Sequence, residues 1–329
     1  MTQAMSLPRL GLTTLAALGL GAALAASVSS GTVLSLLTQA IIYAVFAIGV
    51  GVLLRQNGMV SFGHALFFGS SGYAVGLLLQ AKVMPAELAL LATLAGLALA
   101  AFVMGLIIVR VPGVAFGMLT LAVGQMFYLL ASRSRGLTGG ADGMNIEWPS
   151  TLFSIELSVL LKPASMFMVC WGTLVLVMLA LTLLLGSRFG SITEAVRDNE
   201  ERARFIGIRT LLPRAAIYAL SAVVTGLAGL LSALNTGFVS PENLHWSLSG
   251  VALMMVVVGG TKALWGPAVG AVVYFLAKDI LGDWANHWMA IFGIALITVI
   301  VCSPTGIAGV LLRLVHGKPA ARAPARAGH

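Results

Sequence analysis

Apolar runs of about 20 residues recur along this chain, separated by charged or turn-rich breaks, and each is long enough as a helix to cross a hydrocarbon layer about 30 Å thick. Composition closes off a water-soluble alternative. Of 329 residues, 59% are hydrophobic and 9% charged, with a mean hydropathy of +1.00, against roughly 25% charged in a soluble domain. A soluble fold of this size would have almost nothing with which to cover its surface. In lipid, backbone polar groups must be satisfied within the spanning segment, and runs without apolar/polar alternation exclude a β-barrel. The expected fold class is all-α: a polytopic integral membrane protein of about ten transmembrane helices, including broken or re-entrant segments.

The spans read at 10–28, 32–54, 61–80, 86–109, 113–131, 166–186, 214–235, 248–261, 265–277 and 286–302. The eighth and ninth are short, and Gly259, Gly260, Gly266 and Pro267 between them allow one broken element. With the N-terminus inside and every span crossing, the inside segments hold Arg9, Arg55, Arg110, six arginines between 188 and 214, Lys262, Arg313, Lys318, Arg322 and Arg326. The outside segments hold Lys82, Arg133, Arg135, Lys162 and Lys278. This asymmetry of 14 to 5 satisfies the positive-inside rule and places both termini in the cytoplasm. Arg9, the apolar stretch after it and the small residues 22–27 also fit a cleavable signal; the favoured reading is a retained first helix.

The net charge of +8 suggests nucleic acid only superficially, because the basic residues lie between and after apolar runs without interleaved aromatics. Cys170 and Cys302 both fall in apolar runs with no Cys/His cluster nearby, so neither a metal site nor a disulfide is expected. There is no Gly-x-x-x-x-Gly-Lys-[Ser/Thr] phosphate loop, so the chain has no ATP cradle of that kind. All eleven acidic residues sit in loops or at span ends, whereas ion-coupled carriers usually keep a carboxylate within the membrane. No catalytic residues are expected.

The transmembrane domain is taken as 1–312, followed by a basic cytoplasmic tail at 313–329. Within it, the outside loop 132–165 is charge-balanced, with Gly136, Gly139, Gly140 and Gly143 near its start. The inside loop 187–213 supports an amphipathic helix from Ser191 to Phe205. Ile192, Ala195, Val196, Asn199, Ala203 and Ile206 approximate one face, Glu200 and Arg204 form a favourable i, i+4 pair, and Gly207 can end it. Such a helix is either solvated or docked in a groove of a soluble partner. Polar residues within the spans are few. His64, Gln125, Tyr128 and Asn235 are candidates for a translocation path, although a packing histidine and interhelical hydrogen bonds explain His64 and Gln125 more simply.

Glu201-Arg202-Ala203-Arg204-Phe205-Ile206-Gly207 resembles the Glu-Ala-Ala-x-x-x-Gly cytoplasmic signature of ATP-binding-cassette (ABC) importer permeases, departing from it at Arg202. Longer stretches are similar to the permeases of branched-chain amino acid ABC importers, the LivM type. These are Ala195 to Glu200, Ser221-Ala222, Gly226 to Gly229, Val60 to Ala65 with Gly72-Tyr73, Gly117 to Ala122, Val258 to Gly260 and Gly266 to Ala271. The matches run from about residue 32 to 312.

The resemblance implies a non-enzymatic subunit of the bacterial inner membrane, without a cofactor of its own. Its partners would be a second homologous permease, two cytoplasmic ATP-binding subunits and an extracytoplasmic solute-binding protein. Coupling to the ATPases would fall on Arg197, Asp198, Glu200, Glu201, Ala203 and Gly207. The alternatives are a urea or short-chain amide ABC permease, a passive channel, and a secondary carrier that would answer to an ion gradient rather than to ATP.

Overall fold

The computed structural model describes residues 7–28, 30–111, 113–284, 293 and 305–316. The spans begin with α1 (Leu7–Ser27), α2 (Gly31–Asn57), α3 (Ala65–Gln80), α4 (Ala86–Ile108) and α5 (Val114–Arg133). A connecting segment holds α6 (Arg135–Thr138), a 3-10 turn at Gly140–Asp142, the two-residue strands β1 (Met144–Asn145), β2 (Thr151–Leu152) and β3 (Ile155–Glu156), and α7 (Leu157–Leu160). After α8 (Pro163–Leu185) come two polar helices, α9 (Arg188–Asp198) and α10 (Glu200–Phe205), and then α11 (Leu211–Thr236). The remainder is β4 (Phe238–Val239), a 3-10 turn at Pro241–Leu244, α12 (Trp246–Gly259), α13 (Gly266–Trp284) and α14 (Gly306–His316). Helices predominate, and the only described sheets are two-stranded, pairing β1 with β4 and β2 with β3.

Six of these helices are long and apolar enough to cross a membrane: α1, α2, α4, α5, α8 and α11; α3 and α12 are shorter apolar helices. The first nine expected spans each meet a helix, and the tenth, 286–302, lies outside the described residues. Two expectations are corrected. The third span is helical only from Ala65. Sixteen residues of helix reach about 24 Å, so the irregular segment 58–64 takes up the remaining depth. The ninth span does not stop at Ala277, because α13 runs on through Lys278 and Asp279 to Trp284. A charge ends an apolar run in the sequence, but with no Gly or Pro beside it the backbone keeps its helical hydrogen bonds.

The bundle is organised around α2 and α11, which lie along each other, with α3 and α4 against α11, α13 against α2, and α1 against α8. Some 78% of the apolar stretch of α2, and the same share of α11, is buried; in α1, α4, α5 and α8 the share is 11–28%. Lipid tails are as apolar as leucine, so association here depends on close packing rather than on water exclusion. Glycine supplies that closeness. A side chain at Gly49 would run into Thr225 and the Ser221 carbonyl, and one at Gly229 into the Phe68 carbonyl oxygen and the Ser71 hydroxyl.

Candidate functional site

The 187–213 segment folds as two helices, not the single helix expected over 191–205. The break is at Asn199, whose backbone is extended and whose side chain caps α10 by accepting a hydrogen bond from the Arg202 N–H at 2.8 Å. The buried face shifts accordingly. Gly190, Thr193 and Val196 turn inward from α9, and Ala203 from α10, while Ile192, Ala195 and Ile206 face out. Gly207 does terminate α10, at φ 85°. Its N–H donates to the Arg204 carbonyl at 2.9 Å and the Ile208 N–H to the Ala203 carbonyl at 3.0 Å, the paired bonds of a Schellman ending that needs a left-handed residue at this position.

This hairpin is braced to both central helices. The Thr193 hydroxyl donates to Gln56 Oε1 at 2.8 Å, and Arg197 donates to the Arg55 carbonyl, both at the end of α2. Arg197 also grips its neighbour Asp198 through Nε and Nη2 at 2.9 and 2.7 Å. On the other side Glu200 pairs with Arg204 at 2.6 Å and with Arg214 in the first turns of α11, and accepts from the Thr210 hydroxyl at 2.9 Å. Burial works to raise the Glu200 carboxyl, but the Thr210 hydroxyl and the Arg214 and Arg204 guanidiniums outweigh it and hold it below the usual carboxylate range. Asn57 closes the ring by donating to the Arg214 carbonyl at 3.0 Å. At the tip, Phe205 is 90% and Ile206 71% exposed, and Glu201, Arg204 and Phe205 line a surface hollow. The sequence reading put Ile206 on the apolar face of the helix and gave Phe205 no role; the signal for their shared exposure was an aromatic-aliphatic pair just before the terminating glycine.

A second polar node lies within the bundle. His64, fully buried, is within 2.8 Å of Ser61 Oγ through Nδ1 and 2.7 Å of Ser221 Oγ through Nε2. The Ser221 hydroxyl donates to the Gly49 carbonyl at 2.7 Å. It therefore accepts from Nε2–H, and in the neutral ring Nδ1 accepts from the Ser61 hydroxyl. The irregular backbone before α3 is satisfied by other helices: the Ala65 N–H donates to Ser249 Oγ of α12 at 2.8 Å and the Phe62 N–H to Thr120 Oγ1 of α5 at 3.3 Å. Non-helical backbone at membrane depth persists only where protein supplies such partners. These hydroxyls are the residues sequence reasoning passed over; isolated Ser and Thr in apolar runs are their trace.

The four candidates for a path are held in different settings. His64 belongs to the α2–α11 node; the Tyr128 ring meets the His245 ring edge-on at 4.9 Å; the Gln125 carbonyl oxygen is buried without a partner among the described residues; and Asn235 lines a small polar cavity with Gln39 and Tyr43. Among the described residues, no group of His, Cys, Asp and Glu could hold a metal ion.

Multiple apolar helices enclosing a polar-capped broken segment, with a braced polar hairpin at one end, define a multi-pass membrane protein. The family model described as "Branched-chain amino acid transport system / permease component" matches residues 32–301, and the chain belongs to that family. It is similar to the high-affinity branched-chain amino acid transport system permease proteins LivM of Salmonella typhimurium and of Escherichia coli. Each is 26% identical over 302 residues, covering 85% of this chain and 70% of the relative. It is also similar to the autoinducer 2 import system permease protein LsrC of Yersinia pestis, 31% identical over 281 residues, covering 80% of this chain and 74% of the relative. No solved structure matches it.

Proposed function

We propose that this chain is the permease subunit of an ATP-driven importer for branched-chain amino acids, working by alternating access with its α9–α10 hairpin as the coupling element. The observation that carries the reading is the hairpin's two-sided character. It is fastened to α2 and α11 by Gln56, Arg55 and Arg214, yet it presents Phe205 and Ile206 to solvent. Apolar side chains at the tip of a polar hairpin suit a groove on a soluble partner, and the ties would pass a displacement of that partner into the bundle. The LivM relatives support a branched-chain amino acid as cargo. The LsrC relatives favour a second reading, a different small polar solute moved by the same mechanism. On either reading the partners are two cytoplasmic ATPases, a second permease and an extracytoplasmic binding protein, in the bacterial inner membrane with both termini cytoplasmic.

The test is co-purification from native membranes with the Phe205→Glu chain. Phe205 supports no fold contact that its exposure would lose, so the variant should reach wild-type levels in the membrane. Recovery of the ATPases and ATP-dependent uptake should each fall by tenfold or more, in keeping with an interface anchor worth about 2 kcal/mol. Wild-type recovery of two ATPases with Phe205→Glu would remove the hairpin from the interface.

A further inference from the structure

Beside the end of α11 lies a cavity of about 230 Å³, where α2, α13 and the 3-10 turn before α12 converge. It is below the roughly 300–1,000 Å³ of a drug-sized pocket, so its occupant is small. Two larger grooves are walled mainly by apolar residues with few polar groups, Ser70 and Thr93 in one and Glu87 and Thr173 in the other; this cavity carries Gln39, Tyr43, Asn235, Thr236, Asn243 and Lys278. Lys278 is the one charged group among the described lining residues, and it sits inside helix α13 instead of in the break the sequence suggested. Its Nζ lies 5.9 Å from the centre of the Phe275 ring, which meets Tyr43 edge-on at 5.0 Å, so an aromatic pair steers the ammonium. Part of the lining comes from the last turn of α11, the partially negative end of a helix dipole.

We propose that this cavity is a binding site for a small zwitterion, a free α-amino acid, with its carboxylate on Lys278 and its ammonium toward the α11 terminus and the amide oxygens of Asn235 and Asn243. The proposal rests on the amino acid importer reading above and locates a cargo site within the permease itself. Lys278 is exposed on the polar C-terminal part of α13, where Asp279 follows it, and it gives the cavity a positive charge that an anionic group can reach. The cavity holds both that positive charge and a negative helix end, and a zwitterion has both complements.

The experiment places a thiol in the cavity at a lining position that the proposal gives no contact, Ser240→Cys, in the assembled complex in membrane vesicles, with the reactivity of the native-Ser240 chain subtracted. Anionic and cationic methanethiosulfonates of equal size are compared, alone and with L-leucine or leucinamide present. The anionic reagent should react about tenfold faster, from one unit charge at close range. That ratio should collapse toward one in Lys278→Met and survive in Lys278→Arg. L-leucine should slow the reaction, and leucinamide, which lacks the carboxylate, should not. An unreactive cysteine, or a ratio indifferent to Lys278, overturns the site; charge selectivity without protection by L-leucine overturns the amino acid as occupant. ATP-driven uptake by the unmodified complex is measured separately, so failure of the importer reading shows there and not in the labelling.

Discussion

His64 bonds through both ring nitrogens and is fully buried, so its contribution is to hold three backbone segments, the lead into α3, α11 and α2, at one point. Interhelical hydrogen bonds in membranes average well under 1 kcal/mol, but an orphaned buried hydroxyl costs about 1–3 kcal/mol. His64→Leu, which takes the acceptor from the buried Ser61 hydroxyl while Ser221 keeps the Gly49 carbonyl, should therefore destabilise the detergent-solubilised protein by roughly 1–2 kcal/mol, read as a lowered thermal midpoint. Glu200 gives a prediction of opposite location and similar logic. Its folded carboxyl titrates below its ordinary value, so the tie to α11 is present above pH about 4.5 and is lost as pH falls through the lower folded value. The wild type should lose stability on acidification through that window more steeply than Glu200→Gln. The variant should also be about 1 kcal/mol less stable at neutral pH, within the usual range for a partly exposed ion-pair network.

Among the elements, the pairing of α3 with α11 is set by Gly229, where even a methyl group would meet the Phe68 carbonyl oxygen and the Ser71 hydroxyl. Gly229→Ala should push the helices apart and cost about 1–3 kcal/mol, visible as a lower yield of folded protein after extraction. Gly96, with open space beside its α-carbon, should accept alanine without that loss. How far the elements were legible depended on what their residues had to contact. Helix α4, apolar apart from Glu87 in its first turn and Thr93, was read within a residue at either end. The break at Asn199 was not, because an asparagine within a polar-apolar pattern reads equally as a face residue or a cap; the acidic pair Glu200-Glu201 after it was the sign of a new helix start. The irregular lead into α3 was hidden for a different reason. Its caps, Thr120, Ser221 and Ser249, come from three helices distant in sequence, and no local pattern reports them. The hairpin was located by its charges, but its anchors were not: Gln56 lies in the short break after the 32–54 span and Arg214 read only as one more inside arginine, and no local pattern reports the Thr193 and Glu200 partners they hold.

As a whole the molecule is a stratified bundle, with α2 and α11 enclosed by protein and α1, α4, α5 and α8 facing outward. Composition made the class plain, since every exposed leucine needs a lipid or a partner helix beside it; the order of the layers was not legible, because apolar runs look alike whether lipid or protein covers them. A photoactivatable lipid should accordingly label α4 and α8 heavily and leave α2 and α11 almost untouched, as read by peptide mass spectrometry.

The caps on the lead into α3 also set a schedule for synthesis. Ala65 waits for a hydroxyl 184 residues later, and His64 for one 157 residues later. At a bacterial elongation rate of about 5–20 residues per second, that interval is roughly 10–40 s. Throughout it the early helices lie in the bilayer with bare amide groups, so the newborn N-terminal half is an unfinished span that water, lipid headgroups or the insertion machinery must shelter until the C-terminal half arrives.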